Sequence, residues 1–119
     1  MGSEMCIRDR TRGEMSLQFD DEKNIFTVET PNGNVLKLDE DSGGITIEDE
    51  NGNKVLLDSS GITIESAKDI ILKATGDVKI EGTNIESAAN ASYKAEGGAG
   101  LNLETSAVAV LKGSLVQIN

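Results

Sequence analysis

Residues 61–82 carry one short phrase three times: Ile62-Thr63-Ile64, Ile70-Ile71-Leu72 and Val78-Lys79-Ile80, each copy starting eight positions after the last. A brief apolar alternation that returns at a fixed interval is the mark of a stacked repeat, because two inward side chains per strand bury nothing until a neighbouring strand covers them. The pattern continues to the C-terminus. First apolar positions fall at Ile62, Ile70, Val78, Ile85, Tyr93, Leu101, Val108 and Val116, with steps of 8, 8, 7, 8, 8, 7 and 8. Between the copies lie glycine, serine, asparagine, aspartate and threonine, which accept sharp bends that β-branched residues resist.

Alternate residues of a strand share a face. One face of the repeat then holds Ile62, Ile64, Ile70, Leu72, Val78, Ile80, Leu101, Leu103, Val108, Val110, Val116 and Ile118. The other holds Thr63, Glu65, Lys73, Lys79, Glu81, Lys94, Asn102, Glu104 and Gln117, with Ile71 the exception. Three such strands make a turn of about 23 residues, which suits either a single-chain β-solenoid or three chains wound about one axis. The inward set is thin, and residues 87–100 (SAANASYKAEGGAG) are too small to fill a single-chain core. Both features favour three chains.

Upstream, residues 16–58 read as two β-hairpins. Phe26-Thr27-Val28 and Leu36-Lys37-Leu38 flank the turn cluster Pro31-Asn32-Gly33-Asn34, and Ile45-Thr46-Ile47 and Val55-Leu56-Leu57 flank residues 49–53. Asn32-Gly33 and Asn51-Gly52 are the expected sources of positive φ. The acidic runs at residues 39–41 and 49–51 miss a calcium-loop template. Counted from Asp49, the glycine falls two positions early and Ser60 stands where the bidentate acid belongs, so turns are the expected role. Residues 1–15 match nothing downstream. Arg8, Arg10 and Arg12 are the only arginines, the run MCIRDR resembles translated adaptor sequence, and this leader is expected to be non-native or disordered.

Composition narrows the function. With 21 acidic and 11 basic residues the formal charge is −10, which opposes nucleic-acid binding and docking on anionic lipid. There is no histidine and Cys6 is the only cysteine, so imidazole catalysis, Cys/His zinc sites and internal disulfides are excluded. Aromatic residues are Phe19, Phe26 and Tyr93 alone, and no platform or pocket surrounds Glu65, Glu81 and Glu104 as a glycosidase would need. No enzyme activity, cofactor or metal is expected. No 18-residue apolar run and no apolar segment behind the N-terminal charges appear, so neither a membrane-spanning helix nor a signal peptide is expected.

Residues 43–82, GGITIEDENGNKVLLDSSGITIESAKDIILKATGDVKIEG, resemble the spike segment of VgrG-like proteins and phage baseplate spike proteins. The turn and strand from Pro31 to Leu38 resemble that family's lead-in, and the closing Gly113-Ser114-Leu115-Val116-Gln117-Ile118-Asn119 resembles its blunt end. The resemblance covers residues 17–119. It implies an all-β fold, an intertwined homotrimeric triple-stranded β-helix preceded by hairpins, with residues 59–119 as the octad spike. It also implies a membrane-piercing structural role in a contractile injection system (type VI secretion, phage tail or tailocin-like particle). Expected partners are two further copies, a baseplate hub reached through absent upstream domains, and a PAAR-type tip protein on Ser114, Leu115, Val116, Gln117, Ile118 and Asn119. Membrane passage would be transient and unanchored, with assembly in the cytoplasm and action outside the cell. A passive trimeric stalk or adhesin and a monomeric β-solenoid are the alternative readings.

Overall fold

A computed structural model describes residues 6–119, and backbone proximity divides the chain into two compact units, Met1–Val78 and Lys79–Asn119. The first unit is built on seven antiparallel strands of five residues each: β1 (Cys6–Arg10), β2 (Ser16–Asp20), β3 (Ile25–Glu29), β4 (Val35–Asp39), β5 (Gly44–Glu48), β6 (Lys54–Asp58) and β7 (Gly61–Glu65). Each pairs only with its neighbours in sequence, giving one open sheet in the order β1 to β7. No helix occurs among the described residues. The fold is all-β.

The two hairpins expected around residues 30–34 and 49–53 are present as β3–β4 and β5–β6, and they are joined to each other and to β7 in a continuous meander. Both turns use glycine for the left-handed residue, Gly33 at φ +98° and Gly52 at φ +91°, where a Cβ would be strained. The leader contributes a strand: β1 lies against β2 with Cys6 opposite Asp20 and Arg10 opposite Ser16. An unpaired β2 edge offers N–H and C=O groups that such a segment can satisfy. The first five residues of that leader lie outside the described residues.

A 19-residue period underlies the meander. Strand starts fall at Ser16, Val35 and Lys54, and one row of turns opens with Asp20, Asp39 and Asp58. Each of those carboxylates caps its own turn. Asp20 accepts from the amides of Glu22 and Lys23, both at 3.2 Å. Asp39 accepts from the amides of Asp41 and Ser42 and from the Ser42 hydroxyl at 2.8 Å, and Asp58 accepts from the amide and hydroxyl of Ser60. The opposite row of turns opens with Thr30, Asp49 and Ser66. Asn34 donates its amide groups to the Thr30 hydroxyl, and Asn53 donates in the same way to Asp49.

The first copy of the octad phrase, Ile62-Thr63-Ile64, lies in β7 and pairs back onto β6. Beyond Glu65 no strand occurs among the described residues. Beyond residue 69 the polar contacts are local: the Ala107 amide donates to the Thr105 hydroxyl, and Lys94 pairs with Glu96 at 3.1 Å.

A candidate trimer interface

The register of the meander stacks its apolar residues in two unbroken rows on one face. Leu17 faces Val28, Val28 faces Leu36, and the row continues through Ile47 and Val55 to Ile64. The second row runs Phe19, Phe26, Leu38, Ile45, Leu57 and Ile62. Phe19 and Phe26 stack with ring centroids 4.7 Å apart, so the row is in side-chain contact where it starts. Between the rows, pointing to the other face, stand Gln18, Thr27, Lys37, Thr46, Leu56 and Thr63. Directly opposed side chains on one face lie close enough to pack, so each row is a continuous apolar ribbon.

Nothing among the described residues covers that face. Among the described residues no side chain, apolar or polar, is fully buried. Phe19, Leu38 and Ile47 remain 46%, 41% and 49% exposed even inside the sheet. An antiparallel sheet with one apolar and one polar face is ordinarily packed on its apolar side, and a protein of this length normally hides well over half of its unfolded surface. An apolar sheet face of twelve residues left open in one chain is therefore a candidate interface.

Of the core residues expected from sequence, the structure brings Ile62 and Ile64 onto this face, beside Leu57 and Val55. The others, Ile70, Leu72, Val78, Ile80, Leu101, Leu103, Val108, Val110, Val116 and Ile118, lie in the part of the chain that makes no ladder with itself, and all are exposed. So are Leu115 and the rest of the expected tip segment, residues 114–119. Ten residues of this face in β2–β6 lie outside the core expected from sequence. The 19-residue spacing of Asp20, Asp39 and Asp58 would have revealed them, because it fixes the strands in a common register.

The electrostatics of this region belong to the turns. Hydrogen bonds from Ser42, strengthened by Lys37 at 3.4 Å, hold the Asp39 carboxyl down to about 2. Hydrogen bonds from Asn53, then Asn51, hold Asp49 down to about 2, and Ser60 lowers Asp58. These oxygens are committed to backbone and side-chain donors that shape the loops. No group of three or more Asp, Glu, His or Cys poised for a metal ion occurs among the described residues. No helix among them is long and apolar enough to cross a membrane.

The sequence model of the phage baseplate V C-terminal trimerisation domain family matches residues 24–119. That span starts one residue before β3 and takes in every residue of the octad repeat. No curated protein matches the chain.

Proposed function

The chain belongs to the phage baseplate V C-terminal trimerisation domain family, and from that premise we propose that three copies form the piercing needle of a contractile injection system. The baseplate association and the trimeric, structural character follow from the family. The piercing action, the kind of injection particle and the tip partner are our reading. The observation that carries it is the open apolar face of the meander, which leaves each chain without a core of its own.

In the proposed trimer the meander faces close on one another as the lead-in region. The octad strands that follow β7 then continue as an intertwined triple-stranded β-helix, with the inward positions from Ile62 to Ile118 filling the axis. Eight octads rising by one strand spacing each give a shaft of roughly 35–40 Å. Three chains of charge −10 make a strongly acidic rod that phospholipid does not retain. Penetration then comes from stiffness and sheath force. No catalytic residue or cofactor is assigned to it.

We place a PAAR-type tip protein on Ser114, Leu115, Val116, Gln117, Ile118 and Asn119. Residues 114–119 are all exposed, and backbone N–H and C=O groups outside any ladder invite pairing with another chain. Leu115 and Ile118 are 81% and 85% exposed, open to a cap. The test is capture of a PAAR protein by the intact trimer and by a trimer lacking residues 114–119. Binding should be lost with the deletion; equal binding contradicts the assignment, and a trimer that captures no tip protein in either form supports a passive stalk instead.

A further inference from the structure

Among the described residues, the edge of β7 has no partner in its own chain. The two-residue turn Ser59-Ser60 closes on Asp58 opposite Gly61, and in a two-residue hairpin that closing pair is hydrogen-bonded. Pairs alternate from there, so Leu57 opposite Ile62 and Val55 opposite Ile64 are non-hydrogen-bonded pairs. The backbone N–H and C=O of Ile62 and Ile64 therefore point away from β6, along the open edge. Buried in a spike, those groups need partners.

The next segment of the same chain does not supply them. The turn at residues 66–69 is closed on itself: the Lys68 amide donates to the Ser66 hydroxyl, which donates to the Asp69 carbonyl at 2.9 Å. It is also tied to its own sheet, since the Ala67 amide donates to the Asn53 side-chain oxygen at 3.1 Å. The same staple occurs one repeat earlier, where the Glu50 amide donates to the Asn34 oxygen at 3.1 Å. Asn34 and Asn53 each stand four residues after the residue that opens their turn. Four residues after Ser66 stands Ile70, which has no amide side chain, so the staples end here. The strand phrase Ile70-Ile71-Leu72 follows at once, yet it makes no ladder with β7.

We propose that the open edge of β7 is a docking edge for a second copy of this chain, whose Ile70–Leu72 strand forms the next rung, so that the chain changes from pairing with itself to pairing with a neighbour across residues 66–69. This rests on the trimer reading. Its occupant follows from continuity: the two apolar rows of the meander end at Ile62 and Ile64, and the first inward pair able to extend them is Ile70 and Leu72. The four-residue turn, pinned at Ala67, sets where self-pairing stops.

The test uses the full chain with Cys6→Ser as background. Thr63→Cys on the polar face is combined in turn with Asp69→Cys, Ile71→Cys and Lys73→Cys, which share one strand face, and the proteins are oxidised. Neighbouring strands bring facing Cβ atoms within disulfide reach. At least one pair should give a covalent species of about three times the 12.6 kDa chain on a non-reducing denaturing gel, with the monomer band lost. The Thr63→Cys single variant should not. Bridges that stay within one chain, or no bridge from any of the three pairs, in samples that scatter light as trimers, overturn the partner exchange and leave the trimer standing. A monomeric mass before oxidation overturns both.

Discussion

Ile71 and Leu72 are adjacent, of equal size and each 74% exposed in the single chain. If one chain were the functional unit, Ile71→Ala and Leu72→Ala would each change stability by about 0.5 kcal/mol or less, as exposed sites do. In the trimer their fates separate, because Leu72 shares the inward face with Ile70 while Ile71 points to solvent. Truncating a buried Leu to Ala costs roughly 2–5 kcal/mol, and the substitution enters a closed trimer three times, so Leu72→Ala should cost roughly 6–15 kcal/mol per trimer. Thermal unfolding followed by circular dichroism at several protein concentrations reads this directly. The Leu72→Ala midpoint should fall by on the order of 10 °C or more, and Ile71→Ala should track the parent. Equal shifts, or a larger shift for Ile71→Ala, would refute the assignment of faces.

The depressed carboxyls predict acid sensitivity. Asp39 and Asp49 sit at about 2 in the fold against 3.8 ordinarily, so their contribution is present in full above pH 4 and is lost as pH falls toward 2. Melting between pH 5 and pH 2 should show that loss, and Asp49→Asn should flatten it; a melting point independent of pH would contradict the cause. Gly44→Ala should destabilise the β5–β6 pairing by about 1–3 kcal/mol, since an added Cβ would lie 2.8 Å from the Leu57 carbonyl oxygen in β6. Denaturant titration checks it. Asn53→Ala removes the side-chain acceptor of the Ala67 amide and one bond to Asp49, and should cost about 1–2 kcal/mol, with amide exchange at Ala67 accelerated relative to amides in β3.

The alternation within each strand was readable residue by residue, and it named both expected hairpins and their glycines. Alternation tells which residues share a face of one strand and says nothing of how strands align. Alternation therefore assigns Leu17 and Phe19 no strand and makes Phe26 and Val28 only one side of a hairpin, whereas the register makes all four the start of the apolar ribbons that end at Ile62 and Ile64. The spacing of Asp39 and Asp49 misses a metal-loop template and points to turns, and their oxygens do accept from the amides of their own turns. The octads are the reverse case. Their period is plain in the sequence, yet residues 66–119 make no ladder in a single chain, which the proposed trimer accounts for by taking the hydrogen-bond partners and apolar cover of each strand from other copies.

The claim beneath all of this is that one chain has no core and three together do. Multi-angle light scattering on the purified full chain measures it most directly. The account predicts a single species of about 38 kDa, three chains of 12.6 kDa, that persists on dilution. A monodisperse folded species of 12.6 kDa would contradict it.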